Sequence, residues 1–206
     1  MVPESRFVFD GSRPVLEMAP MLLGAYVEHA GVGVRIVEVE AYDGANDPGA
    51  HGFRGQTPRN AVMFGPPGHL YVYFTYGMHY CINVVCGESG RAAGALLRAG
   101  EVVHGIELAR SRRGTSTDRD LARGPARLAQ AMAFVDLSRN GTDLADPTSP
   151  VVVRPHEDVE PQHIRTGPRV GVSGPGGNGE RFPWRFWIEG DRHVSIYRPA
   201  VRRKRP

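Results

Sequence analysis

The chain has 206 residues, a length at which one domain with a substantial core is the default. No apolar run reaches the length of a membrane span, and the first ten residues lack the basic and apolar regions of a signal peptide. The net charge of +3 and the pI near 9.1 permit nucleic-acid binding without requiring it. We expect one domain over residues 1–206, with loose ends at 1–13 and 199–206 and no membrane contact.

Cysteine and lysine are scarce, and both shortages limit the possible chemistry. Cys81 and Cys86 lie five residues apart on a strand-like segment, which is typical of neither a disulfide framework nor a zinc pair. A reduced, cytoplasmic setting is therefore expected. Lys204 is the single lysine among the 25 Lys and Arg residues, and it lies in the basic terminal segment VRRKRP.

The first predicted elements are a short helix and a β-hairpin. The LEMAPMLLG segment predicts a helix that ends at Gly24, which supplies the left-handed exit. Residues 25–29 and 34–40 alternate as two paired strands do. A loop rich in Gly and Asp follows over 43–56. Thr57 then predicts the N-cap of a second short helix, which runs to about Phe64.

The middle of the chain predicts a second hairpin and two helices. Residues 69–75 and 79–86 have the pattern of strands joined by a tight turn near Gly77, and 93–100 predicts a further strand. Helical spacing returns over Val102–Arg113 and Pro125–Phe134. The last third predicts short strands at VVVRP, RFWIEG and HVSIYR. Because strands and helices do not alternate strictly, we predict an α+β fold with a curved, mostly antiparallel sheet and surrounding helices.

Side chains suited to chemistry on a nucleobase surround the second predicted hairpin. Glu38 and Glu40 share one face of a predicted strand, and Tyr71 and Tyr73 share a face of another, while His51 lies on a loop. Taken singly, the two glutamates are more typical of a solvated strand and the loop histidine of an exposed or structural residue. The alternating tyrosines alone are more typical of core packing. Together, they indicate a protein that takes one base out of a helix and acts on it.

Long contiguous segments carry a more specific signal. The sequence closely resembles the alkyladenine (3-methyladenine) DNA glycosylase family from about residue 14 to residue 198. The resemblance rests on RIVEVEAY at 35–42, His51, QTPRNAVMF at 56–64, GHLYVYFTYGMHYCIN at 68–83, ALLRA at 95–99 and GPARLAQAM at 124–132, with weaker likeness at PRVGV (168–172) and RFWIEG (185–190). The chain looks like a compact bacterial-type member, for which we expect a cytoplasmic, nucleoid-associated location.

The resemblance implies two catalytic residues and no metal or cofactor. Glu40 would position and deprotonate the water that attacks C1′ of the flipped nucleotide. Arg98 would help to fix that water and the nearby backbone. Glycosylases that also cut the strand form a Schiff base through an amine. Because Lys204 is the single lysine, we predict a monofunctional hydrolase of the N-glycosidic bond that leaves an abasic site.

The resemblance also implies a base pocket of broad specificity. Tyr42, His51 and Tyr73 would stack on the extruded base, and the main-chain amide of His51 would read its edge. Asn83 would obstruct the exocyclic amino group of normal guanine. Stacking contributes roughly 1–3 kcal/mol per base and tolerates different bases. The expected substrates are alkylated or deaminated purines, namely 3-methyladenine, 7-methylguanine, hypoxanthine and ethenoadenine.

The tip of the second hairpin is the implied DNA wedge. Tyr76 would enter the minor groove and fill the hole that the flipped base leaves, and Met78 and His79 would line that wedge. The loop 169–179 is interpreted as presenting amides and the Arg169 side chain to the DNA backbone. The expected partner is double-stranded DNA that contains a damaged purine. Since one wedge and one pocket suffice, we expect a monomer.

Two departures from the family pattern and three alternatives stay open. Gly52-Phe53 follows His51 where the family has small or polar residues, and His79 stands where an aromatic is common.

The first alternative is a non-catalytic protein that binds DNA damage. The second is an RNA-binding fold with stacking tyrosines. The third is a metal-dependent hydrolase, although the sequence has no HExxH or CxxC pattern; its candidate ligands are Glu40, His51, His69 and His79.

Overall fold

The computed structural model describes residues 11–200, so the predicted loose ends and the basic terminal segment lie almost entirely outside it. Within this range no helix is long and apolar enough to cross a membrane. The helices and strands of this range are, in chain order, α1 (Val15–Met21), β1 (Tyr26–His29), β2 (Val32–Asp43), β3 (Leu70–Thr75), β4 (His79–Val85), β5 (Ala93–His104), α2 (Ile106–Arg113), α3 (Pro125–Ala131), β6 (Val151–Arg154), β7 (Ile164–Gly167) and β8 (Arg185–Ile188).

Two 12-residue strands, β2 and β5, form the centre of one antiparallel sheet. The strand order is β3-β4-β5-β2-β1-β6, and β8 pairs with both β2 and β7. β1 pairs with the first part of β2, whereas β8 pairs with its later part at Glu38–Glu40. The pairing of β2 with β5 shifts register on both sides of Glu38, and such bulges bend a strand and increase its twist. The sheet curls at this bend, and the predicted α+β fold with a curved antiparallel sheet is confirmed.

The main core lies between the sheet and the helices. α1 contacts β2 and β5, and α3 contacts β4 and β5. Alternate residues of the strands point into this core, for example Leu70 and Val72 of β3 and Ile82 and Val84 of β4. The residues between them therefore point to the opposite face of the sheet, where polar and aromatic side chains collect.

Both predicted hairpins are confirmed, as β1–β2 and β3–β4. The helix predicted to begin at Thr57 is wrong. There the Asn60 side chain accepts the Thr57 N–H at 2.6 Å and donates to the carbonyls of His51 and Gly55, so the chain makes a turn followed by a 3₁₀-helix, Ala61–Phe64. Local side-chain bonds of this kind compete with a regular helix.

Two other sequence predictions fail. The helix predicted over 102–104 is wrong, because these residues continue β5 and pair with Gly33 and Val34 of β2. The helix begins only after Gly105, whose φ of +69° a glycine adopts without strain. The predicted strand HVSIYR is absent from residues 193–198. The Ser195 N–H instead donates to the Glu38 carboxylate at 2.8 Å, so this backbone group bonds a side chain rather than a neighbouring strand. The one-domain organisation of residues 1–206 stays a prediction.

Candidate active site

A cavity of about 490 Å³ opens on the face of the sheet opposite the main core. Strand alternation places its walls, since its strand side chains alternate with core positions of β2, β3, β4 and β5. The loops after β2 and β7 complete it. The strand residues that line it are Glu40, Tyr42, Tyr71, Tyr73, Thr75, Cys81, Asn83, Leu96 and Arg98.

The structure brings seven of the nine predicted site residues to this cavity, which are Glu40, Tyr42, His51, Tyr73, Tyr76, Asn83 and Arg98. Tyr76 lies at its mouth and is 82% exposed. Tyr76 and Gly77 both have positive φ, and the Met78 N–H donates to the Thr75 carbonyl at 3.2 Å, which makes the tight turn of the hairpin. Met78 and His79 are exposed beside Tyr76 and do not line the cavity. The roles of all nine residues stay predictions.

The Glu40 carboxylate is buried at the inner end of the cavity. Its Oε1 accepts the Val170 N–H at 2.7 Å, and its Oε2 accepts the Tyr42 hydroxyl at 2.9 Å and Arg98 Nη1 at 3.5 Å. A carboxylate offers about four acceptor positions. Three are occupied by these contacts, so Oε1 retains one acceptor position for another donor.

Behind Glu40, a buried charge network holds Arg98. Glu38 Oε1 accepts Arg98 Nε at 3.0 Å and Arg185 Nε at 2.5 Å. The Ser195 N–H and hydroxyl donate to the two Glu38 oxygens at 2.8 Å and 3.0 Å, and the Arg185 guanidinium lies over the Trp187 ring. Burial by itself lowers the pKa of Arg98, but the Glu40 and Glu38 carboxylates outweigh it and raise that pKa. Arg98 is therefore a permanent cation in contact with both carboxylates.

Three aromatic rings form one wall of the cavity. The Tyr71 and Tyr73 rings stack with centroids 5.4 Å apart, and the His51 ring meets Tyr73 edge-on at 4.6 Å. Burial raises the pKa of Tyr71 to about 12 and lowers the pKa of His51, so at neutral pH both groups are uncharged. The Tyr71 hydroxyl and His51 Nδ1 share a hydrogen bond of 3.1 Å, whose direction depends on the tautomer of the imidazole.

Tyr42 lies between the cavity and a buried arginine. The Arg169 guanidinium is 4.5 Å from the centroid of the Tyr42 ring and makes a two-oxygen ion pair with Asp47 at 2.5 Å and 2.6 Å. It also donates to the carbonyls of Ala41 and Gly176. Both charged side chains are 0% exposed. The prediction that Arg169 contacts the DNA backbone is therefore wrong, because this side chain is buried and paired with Asp47.

The comparisons with known proteins agree with this geometry. The family model described as Methylpurine-DNA glycosylase (MPG) matches residues 9–192. The chain belongs to the methylpurine-DNA glycosylase family. It is 52% identical to a protein of Streptomyces avermitilis, over 94% of this chain and 92% of that relative. It is 51% identical to a protein of Leifsonia xyli subsp. xyli, over 89% and 88%, and 48% identical to one of Frankia casuarinae, over 98% and 99%. Each of the three bears the name "Putative 3-methyladenine DNA glycosylase".

Membership of the methylpurine-DNA glycosylase family settles the class of activity. The protein is a DNA glycosylase, a hydrolase of N-glycosyl bonds that acts in DNA repair, and the predicted resemblance is confirmed. The non-catalytic and RNA-binding alternatives therefore do not stand. Within residues 11–200, no group of three or more His, Cys, Asp or Glu side chains is placed to hold a metal ion.

Sequence reasoning missed the residues that support the site of this glycosylase from behind. They are Asp47 and Arg169 under Tyr42, Arg185 and Ser195 around Glu38, the Val170 amide on Glu40, and Asn60, which holds the His51 carbonyl at 2.9 Å. Most are separated from their partners by more than a hundred positions, so no local spacing marks them. The sequence does contain one usable signal. Because residues 11–200 have no lysine, the cation of the ion pairs that support the site is arginine.

Proposed function

We propose that this glycosylase flips alkylated or deaminated purines out of duplex DNA and hydrolyses their N-glycosidic bond with an activated water, leaving an abasic site. The substrates are purines of the 3-methyladenine, 7-methylguanine, hypoxanthine and ethenoadenine class. The observation that carries this proposal is the buried Glu40 carboxylate, which lies at the inner end of an aromatic cavity and has one acceptor position on Oε1 that no donor from the described residues fills. Residues 1–206 would act as a single monomeric domain.

In the proposed reaction, the water donates a hydrogen bond to Glu40 Oε1 and lies within reach of C1′. The water oxygen bonds to C1′ as its proton passes to Glu40, and the electrons of the C1′–N bond leave with the base. A cationic alkylated purine leaves as a neutral molecule, whereas a neutral lesion such as hypoxanthine needs a proton from an acid. Because Glu40 would act through water, a Schiff base and strand cleavage are not expected.

The cavity supports selection by stacking and by shape. A flipped purine would be held among the rings of Tyr42, His51 and Tyr73, which are uncharged at neutral pH and favour electron-poor cationic rings. The Asn83 amide donates to the Tyr71 carbonyl at 3.0 Å, so its side chain is fixed. A fixed amide at this position would collide with the exocyclic amino group of normal guanine.

Replacing the wedge residue tests the flipping step. We expect Tyr76→Ala to weaken binding to lesion duplexes and to slow base release, each by about 10- to 100-fold, because one aromatic stack is worth roughly 1–3 kcal/mol. Since Tyr76 is 82% exposed, the free energy of unfolding should hardly change. Fluorescence anisotropy measures the binding and single-turnover kinetics the release. Tyr76→Phe is the matched control, because it keeps the ring. Equal losses of binding and release in both variants, or no loss in Tyr76→Ala, would contradict the proposed role of Tyr76 as the wedge.

The overall proposal is tested by base release in EDTA. The substrates are duplexes with hypoxanthine or ethenoadenine and alkylated duplex DNA. We expect the free base as product, together with an intact strand that breaks in alkali. A nick without alkali treatment would contradict the monofunctional mechanism. Activity that EDTA abolishes and a divalent metal restores would instead support the metal-dependent alternative with Glu40, His51, His69 or His79 as ligands.

A further inference from the structure

The buried network behind Glu40 contains equal numbers of positive and negative charges. Glu38 and Glu40 are its carboxylates, and Arg98 and Arg185 are its guanidinium groups. All four side chains are less than 10% exposed. Water therefore screens them little, and removing any one charge leaves an excess of the opposite sign next to the cavity.

Within this network, Arg98 is held more closely by Glu38 than by Glu40. Its Nε lies 3.0 Å from Glu38 Oε1, whereas its Nη1 lies 3.5 Å from Glu40 Oε2. The Ser195 hydroxyl adds a further contact, since it lies 3.4 Å from Arg98 Nη2 and 3.0 Å from Glu38 Oε1. The guanidinium is thus tied to the side of the network away from the cavity.

We propose that Glu38 is a positioning residue which, balanced by Arg185, restrains Arg98 and so preserves the basicity of Glu40 for proton transfer from water. The inference rests on the proposed role of Glu40 as the base. If Arg98 paired fully with Glu40, the carboxylate would be stabilised in its charged form and would accept a proton poorly. Glu38 competes for Arg98 and prevents this, while Arg185 supplies the opposite charge that pairs with Glu38 in its buried site.

The other ionisable groups near Glu40 are either neutral near pH 7 or paired with an opposite charge. They come from four elements: Tyr42 on β2, Tyr73 on β3, Cys81 on β4 and Arg169 on the loop after β7. Burial raises the pKa of both tyrosines and of the thiol, so these three are neutral near pH 7. The charge of Arg169 is compensated by Asp47. A change in the rate profile of either variant therefore reports on the charge removed.

The test uses two variants with opposite expected shifts. In Glu38→Gln the network gains net positive charge. The part of the pH profile in which the release rate rises from acid pH (the acid limb) should therefore move to lower pH by about one unit, and the plateau rate should be about tenfold lower. In Arg185→Gln it gains net negative charge, and the limb should move up by about one unit. DNA alkylated to carry cationic purines is the substrate, because their departure needs no acid and the limb then reports the base. Spontaneous loss without enzyme is subtracted at each pH.

Controls separate this inference from a structural role and from the proposed function. Glu101→Gln removes a carboxylate from the Arg35 cluster outside the network and should leave the limb in place. If Glu38→Gln does not fold, Ser195→Ala loosens Arg98 through the same contacts and should shift the limb down by a smaller amount. If release is slower in both Glu38→Gln and Arg185→Gln but the acid limb stays at the wild-type pH, the inference is overturned, while the role of Glu40 as the base is unaffected. Release that persists in Glu40→Gln would overturn the proposed function instead.

Discussion

Glu40→Gln is expected to bind lesion-containing duplexes as wild type does and to release their bases at least about 10³-fold more slowly. General-base catalysis contributes typically 10²–10⁴-fold to a rate, and an amide cannot take the proton of the attacking water. The amide keeps the volume of the carboxylate and can still accept the Tyr42 hydroxyl at the Oε2 position, while its NH2 group replaces the acceptor of the Val170 N–H and that hydrogen bond is lost. Binding through the wedge and the aromatic wall does not use this carboxylate and should persist.

Single-turnover release and equilibrium binding, measured on the same duplexes, check this expectation. Glu157→Gln is the matched control, because Glu157 is a half-exposed partner of Arg35 outside the cavity and its loss should leave release unchanged. Loss of binding together with release would mean that Glu40 supports the pocket rather than the chemistry. Release at the wild-type rate would mean that another group activates the water.

The sequence predicted the face of the sheet that carries the site better than it predicted what holds the site. Strict alternation along β3 and β4 assigns Tyr71, Tyr73 and Asn83 to one face, because side chains of a strand point alternately to opposite sides. The tight turn at Gly77 then fixes the register of the hairpin and places Tyr76 at its tip. These are local properties, and local patterns predict them.

The support of the site depends on contacts that no local pattern contains. Glu38 appears from alternation to be a solvated neighbour of Glu40, yet its carboxylate is buried because β5, β8 and the segment at Ser195 all converge on it. That convergence requires the bulges of β2, which are visible only once β2 is paired with β5. The failed strand at 193–198 also reflects a distant contact, since its Ser195 N–H donates to the Glu38 side chain rather than to a strand.

Asp47→Asn is expected to lower the free energy of unfolding by about 3–5 kcal/mol, which would be the largest stability effect among the changes considered. Asp47 and Arg169 are 0% exposed and share two short contacts. Removing one charge of such a pair leaves the other buried without compensation. The amide has nearly the volume of the carboxylate, so the loss reports the missing charge rather than a cavity. Urea unfolding at neutral pH measures it.

Asp118→Asn is the matched control for this ion pair. Asp118 contacts Arg110 at 2.7 Å, a distance similar to that of the buried pair, but the two side chains are 47% and 42% exposed. Solvent screens an exposed pair, which therefore contributes little to stability, so this variant should unfold nearly as wild type does. Equal losses in the two variants would show that burial does not set the strength of the Asp47–Arg169 pair.

A double variant separates the charge from its surroundings. Asp47→Asn combined with Arg169→Gln removes both charges, so its loss of stability should be smaller than the sum of the two single losses. Because the Arg169 guanidinium packs on the Tyr42 ring, the single variant should also loosen one wall of the base cavity. Base release by the folded fraction of Asp47→Asn should then fall. Unimpaired release in that fraction would mean that Tyr42 keeps its position without the cation beneath it.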